Sequence, residues 1–420
     1  MTSAFDQRLQ TYGELAVQVG LNLRPGQRLL IIGPLASGGV SLEAAPLVRH
    51  VAAAAYRAGA PLVEAVWGDE LLQLTRFDRA NPGSLGECSA WFPAALSEHA
   101  RAGHALLSIY ANDPDLLRGR PSEQVGALAH ATSFAFRSFR EYLSRNATNW
   151  TVIAAGAAGW AARVFPELPP DQQISRLWEA IARMCRLDRP DPIAAWETHL
   201  GALATRRDFL NDRRYTSLAY RGPGTDLSIG LAEGHAWVSG RSETTSGAVF
   251  APNLPTEEVF TMPHALRVNG TVRSSKPLSY GGTLIEGMSF VFSEGRIVKH
   301  AADRGEAVLG QLLATDEGAR RLGEIALVPH SSPVSQSGLL FYNTLFDEND
   351  ASHVALGSAY KFTLEGGEGM TDEQFAAAGG NRSAVHVDFM IGSGELDVDG
   401  VRLDGSVEPL MRRGEWAVAL

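Results

Sequence analysis

The spacing of apolar residues changes character near Tyr215, and that change sets the architecture. Before it, short continuous apolar runs alternate with longer helical stretches. RLLIIG (28–33) is followed by APLVRHVAAAAYRAG (45–59) and then by PLVEAVW (61–67). A run that is apolar at every position suits a strand buried on both faces, and a helix between two such runs makes a βαβ unit. ALLSIYA (105–111) and TVIAAGAA (151–158) add strands, and helices are expected over 4–21, 121–150 and 171–212. After Tyr215 the chain reads as short alternating strands punctuated by glycine, such as TSLAYRGPGTDLSIGL. That texture builds antiparallel sheet. The expected fold class is α/β plus α+β. An N-terminal small parallel-sheet α/β domain with a helical extension spans 1–212, and a β-rich C-terminal domain spans 213–420.

Composition narrows the function classes. The formal net charge is −10, which disfavours nucleic acid and anionic membrane as partners. No apolar run is long enough to span a bilayer, and MTSAFDQRLQ is not a signal peptide. Cytoplasm is the expected location. Cys88 and Cys185 are the only cysteines, so a thiolate metal site is not expected and any metal must use nitrogen and oxygen ligands. The loop GPLASGGVS (33–41) matches no phosphate-binding glycine pattern. It reads instead as a turn that eases strand-to-helix packing.

Chemistry concentrates between Phe346 and Ser393. In NRSAVHVDFMIGS, the AVHVDFMIG run reads as a strand, which places His386 and Asp388 on one face. An imidazole beside a carboxylate in an apolar strand is either a hydrogen-bonded core pair or half of a metal site. FDENDASHVALGSAY adds a second such pair. Asn349, Asp350 or Ser352 is expected to cap a helix carrying HVALGSAY, which would put His353 and Tyr360 on a shared face with Glu348 in the loop before them.

A metal site drawing on these segments needs more carboxylate. NLPTEEVFTMPH (253–264) offers Glu257 or Glu258, of which a strand can point only one at a given site. Glu324 is expected where a helix over 303–323 gives way to the strand IALVPH. Histidine and carboxylate ligands without thiolate suit Zn2+, Co2+, Mn2+ or Mg2+, and this many acids favours two divalent metal ions. Such a pair activates water and polarises a carbonyl. A nearby tyrosine hydroxyl can steady the oxyanion.

Five segments, YGELAVQVGLNLRPGQRLLI, PNLPTEEVFTMP, GARRLGEIALVP, LFDENDASHVALGSAY and NRSAVHVDFMIGS, resemble the thermophilic aminopeptidase family (aminopeptidases T and S) in the same order along essentially the whole chain. The resemblance implies leaderless cytosolic metalloexopeptidases with a dinuclear, cobalt- or zinc-activated centre. It implies homodimers whose active sites face an enclosed space, and removal of N-terminal residues from peptide substrates. Carried over by motif, it makes Glu258 rather than Glu257 a metal ligand and Glu324 a ligand bridging both ions. It makes His353, His386 and Asp388 ligands, Glu348 a metal-side carboxylate or general base, and Tyr360 an aid to the tetrahedral intermediate. The helical stretch 151–212 departs most from the family pattern. The β-rich half is then the catalytic domain. The alternatives are another dinuclear amidohydrolase or phosphoesterase, or a non-catalytic peptide-binding protein on the same fold. A phosphoesterase should carry lysine or arginine beside the ligands, where these segments have only Lys361 and Arg382.

Overall fold

In a computed structural model, which describes residues 3–35, 38–280 and 283–418, Leu29–Ile32 is buried along its whole length. It is the second strand of a four-stranded sheet ordered Val63–Ala65, Leu29–Ile32, Ala105–Tyr110, Trp150–Ala154. Every pairing in that sheet is parallel. Leu30, Ile32 and Leu106 pack with Phe92, Leu96 and Phe139 from neighbouring helices and with Phe136 from the turn between two of them. The helix Ala45–Arg57 buries Leu47, Val48, Val51, Ala54 and Ala55, a stripe at helical spacing. Against it runs Ala4–Leu15, whose first turn is capped by Ser3 accepting from the Asp6 amide. The two helices approach so closely at Gly13 that a Cβ there would stand 2.9 Å from the His50 carbonyl carbon.

The glycine loop after the first strand also folds on itself. A Cβ on Gly33 would lie 2.0 Å from the Gly39 carbonyl oxygen, so only glycine permits the contact. Residues 36 and 37 of this loop, and residues 281 and 282 of the glycine-rich stretch further on, lie outside the described residues.

The chain forms two compact units. One comprises Met1–His199, Arg241–Pro255 and Phe341–Leu345; the other comprises Leu200–Gly240, Thr256–Leu340 and Phe346–Leu420. The first holds the parallel sheet. The second holds two large antiparallel sheets and a short antiparallel ribbon, Leu278–Tyr280 with Thr283–Ile285. Its larger sheet has eight strands, from Arg296–Ala301 at one edge through Pro263–Arg273 and Ser217–Gly222 to Glu415–Trp416 at the other. Its smaller sheet has five, ordered His386–Met390, His353–Gly357, Leu322–Leu327, Val259–Thr261, Val238–Ser239. Among the described residues no helix is long and apolar enough to cross a membrane.

The mixed fold class agrees with the sequence reading; two local elements do not. HVALG is a buried strand, His353–Gly357, and not a helix. Strands pair with it on both sides, and that pairing outweighs a local capping signal. The residues expected to cap a helix serve the sheet instead. Ser352 Oγ accepts from the Val328 amide at 3.1 Å and donates to the Val328 carbonyl at 3.1 Å. Asn349 Oδ1 accepts from the Glu257 amide at 2.6 Å, and Asp350 pairs with Lys276 at 3.1 Å. Tyr360 therefore does not share a helix face with His353; it lies in the loop beyond the strand. The second difference concerns 303–323, where helix covers only Glu306–Leu313, with a short 3-10 turn at Gly318–Arg320. Glu324 consequently sits inside a fully buried strand, Leu322–Leu327, and not at a helix end.

Candidate metal centre

The register of the five-stranded sheet brings distant residues onto one face. Residues paired across antiparallel strands direct their side chains to the same side. Ala326 pairs with Phe260 and with His353, and His353 with Met390. The next such row is Glu324, Ala355 and Asp388, and the one after it joins Gly357 to His386. Glu324, His353, His386 and Asp388 therefore face the same way from three neighbouring strands. Glu258 reaches the group from the residue immediately before Val259–Thr261.

The side chains form an alternating chain of acid and imidazole. His353 Nε2 is 3.4 Å from Glu258 Oε2 and 3.5 Å from Glu324 Oε1. His386 Nε2 is 3.5 Å from Glu324 Oε2 and 3.4 Å from Asp388 Oδ1. The two oxygens of Glu324 thus serve different histidines. Two sets of donor atoms, Glu258–Glu324–His353 and Glu324–His386–Asp388, each lie within 4.8 Å of one another, and Glu324 belongs to both.

The residues present fit a pair of cations. His353 Nδ1 bonds the Ala351 carbonyl at 3.1 Å, and His386 Nδ1 bonds the Ser358 carbonyl at 2.7 Å. A carbonyl only accepts, so each Nδ1 carries a proton and each Nε2 faces the acids, the orientation of metal-binding imidazoles. Contacts of 3.4–3.5 Å are longer than charge-assisted hydrogen bonds, which close to about 2.7–2.9 Å. Asp388 Oδ1 is buried without a hydrogen-bond partner, a costly state unless a cation satisfies it.

Electrostatics agree with a site built for positive charge. Burial raises the Glu258 carboxyl well above its usual range, with Glu324 and Asp388 adding to the push and the histidines opposing it. Burial likewise raises Glu348, and the charges of Glu258, Asp388 and Glu324 raise it further. Burial pulls His353 down, but its contact with Glu324 and the charges of Glu258 and Asp388 prevail and lift it to about 9. His386 is lifted against burial to about 10, chiefly by Asp388 and Glu324. Burial alone would raise Asp388, yet His386 and His353 hold it below its usual range. The Tyr360 phenol is pushed well up by its buried surroundings and then by Glu324, Asp388, Glu348 and Glu258. The residue as a whole is 40% exposed. The Tyr360 ring lies 4.7 Å from that of His386.

All seven residues singled out in the sequence meet here. Glu257 is buried beside Glu258 but belongs to neither donor set, and nor do His264, His300 and His330. Sequence reasoning missed two asparagines. Asn349, read as a cap, holds the Glu257 amide and so fixes the backbone leading into Glu258. Asn381 is 5% exposed. Its Nδ2 donates to the carbonyls of Gly357 at 2.6 Å and Gly318 at 2.8 Å, while its own carbonyl accepts from Ala359 at 2.9 Å. It ties together the ends of the segments bearing Glu324, His353 and His386. The available signal was its place in the quoted NRSAVHVD motif, a short polar residue just before a ligand strand.

From residue 5 to residue 416 the chain matches the family model described as Thermophilic metalloprotease (M29). It is 48% identical to Aminopeptidase T of Thermus thermophilus, over 99% of this chain and 100% of that one. It is 45% identical to Aminopeptidase 2 of Geobacillus stearothermophilus, over 99% of each. Among solved structures it aligns with wild-type AmpT from Thermus thermophilus at a TM-score of 0.92 and 47% identity, covering 99% of this chain and 100% of that one. A 2,5-dihydroxypyridine dioxygenase from Pseudomonas putida aligns at a TM-score of 0.53 with 12% identity, over 99% of this chain and 98% of that one, and shares the fold alone.

Proposed function

This chain belongs to the thermophilic metalloprotease family, and we propose that it removes N-terminal residues from peptides with a pair of divalent cations held by Glu258, Glu324, His353, His386 and Asp388. It is a metal-dependent aminopeptidase, a hydrolase of peptide bonds. The observation that carries the two-ion reading is Glu324, whose two oxygens face different histidines at 3.5 Å each. Zn2+ or Co2+ suits this mixed imidazole and carboxylate set, with Mn2+ and Mg2+ as hard-cation alternatives.

When bound, the ions supply Lewis acidity, which acidifies a water and polarises the scissile carbonyl. Glu348 takes the proton of the attacking water and passes it to the leaving amine. Tyr360 keeps its proton at neutral pH and donates it in a hydrogen bond to the oxygen of the tetrahedral carbon. A free α-amine would bind at one cation or at an acidic neighbour, as an acetylated one could not, which favours cleavage from the amino end. A homodimer and a cytoplasmic location, both implied by the family resemblance, belong to the same proposal. Light scattering tests the first and cell fractionation the second.

The test is to strip metal with a chelator, reload with Zn2+ or Co2+, and follow release of the first residue from short peptides and from their N-acetylated forms. Free peptides should be trimmed and acetylated ones spared. Full metal occupancy without trimming would sink the reading.

A further inference from the structure

Three aromatic rings run in an unbroken row that ends on His386. Phe260 lies on the metal-facing side of the five-stranded sheet, because it pairs with Ala326 in the row that contains His353. Its neighbours Val259 and Thr261 are completely buried, whereas Phe260 is only half-buried. The Phe362 ring meets it edge to face at 6.2 Å. Phe362, also half-buried, stacks on Tyr360 at 5.2 Å with planes 16° apart. Tyr360 then contacts His386 at 4.7 Å. The row thus starts two residues beyond Glu258 and ends on His386.

A single half-exposed phenylalanine is ordinary. A linked row that starts on the ligand-bearing sheet face and ends on a candidate ligand has the character of a binding site, an apolar wall beside a few convergent polar groups. Tyr360 is assigned to the oxygen of the scissile carbonyl. The side chain of the N-terminal residue branches two bonds from that carbonyl carbon, and the side chain of the next residue three. The nearer one falls against the rings that continue from Tyr360.

We propose that Phe260 and Phe362, continuous with Tyr360, form the subsite for the side chain of the substrate's N-terminal residue and select large apolar and aromatic side chains over small ones. This rests on the aminopeptidase reading above.

The test compares wild type with Phe260→Ala, Phe362→Ala and the milder Phe260→Leu and Phe362→Leu, all metal-loaded. Hydrolysis of Phe-Ala-Ala and Leu-Ala-Ala is measured against Gly-Ala-Ala, and calorimetry compares binding of phenylalaninamide with glycinamide. Wild type should favour the large residue in both measurements. Each alanine variant should lower the Phe:Gly ratio of kcat/KM by about tenfold or more, and each leucine variant should shift preference from Phe toward Leu. A ratio unchanged within about twofold overturns the proposal. So does an equal fall for every peptide, which would mean that Phe362 only props Tyr360. If no peptide is trimmed, the aminopeptidase reading fails, and the calorimetric preference still decides whether the row binds large side chains.

Discussion

His386 donates from Nδ1 to the Ser358 carbonyl at 2.7 Å, which leaves Nε2 as the ring atom facing Glu324 and Asp388. The carbonyl belongs to the loop that Asn381 fastens, so the ring's direction is set by backbone as well as by its neighbours. His386→Ala should remove one ligand of the proposed pair. The metal-to-protein ratio, read by elemental analysis, should fall toward half, and peptide trimming should drop at least about a hundredfold. Wild-type values for both would show the assignment to be wrong.

Tyr360→Phe deletes only a hydroxyl. Removing one oxyanion donor costs about 10²–10³ in kcat, so a loss of that size is expected with metal content and KM little changed. Steady-state kinetics on a good tripeptide checks it, and a wild-type kcat would exclude the hydroxyl from the reaction.

Glu348 can act as general base or as ligand, and Glu348→Gln separates the two. As the base, its loss should lower kcat by about 10²–10⁴ while the protein still binds its full complement of metal. Loss of an equivalent of metal in the variant would make it a ligand instead.

Protein prepared without metal should hold protons where cations belong. His353 and His386 are raised to about 9 and about 10, against an ordinary value of about 6.5. Both are therefore imidazolium at pH 7, and each must lose a proton before a cation binds its Nε2. Calorimetry in two buffers of different ionisation enthalpy should count protons released on Zn2+ binding, and apparent affinity should climb with pH above 7. None released at pH 7 would contradict these shifts. Stability of the metal-free form follows the same sign. Folded values above the unfolded one mean that the contribution is full below about 6.5 and is lost as pH rises through 9 to 10. The metal-free protein should melt lower at alkaline pH.

Asn381→Ala should weaken metal binding without touching a ligand. The amide is buried and bonds two carbonyls, and loss of such a supporting contact typically costs about 10–100-fold in metal affinity. A competitive chelator titration measures it. Asn381→Asp, which replaces the donor with an acceptor facing two carbonyls, should be worse than alanine.

The candidate site was more legible in the sequence than its local geometry. His386 and Asp388 two apart on a strand settled their common face, because side-chain alternation needs no tertiary information. The βαβ region was legible for a similar reason, since LLII is apolar at every position. His353 was not. Asn349, Asp350 and Ser352 look like caps, and only the strands pairing on both sides of HVALG explain why these residues bond across the sheet instead. Glu324 was misplaced at a helix end because GARRLGE has helical composition, while its strand state depends on partners far away in the chain.

That separation has a consequence for how the protein matures. The proposed ligands enter the chain one at a time from Glu258 to Asp388, and the Leu322–Leu327 strand must pair on both sides before they share a face. A nascent chain that has not yet delivered His386–Met390 lacks two of them. Cation uptake should therefore be a late event that reports completion of the five-stranded sheet, with the last ligand strand adding the sheet edge and the remaining ligands together. Chains truncated before Val385, left with only Glu258, Glu324 and His353 of the proposed ligands, should capture at most one equivalent of metal.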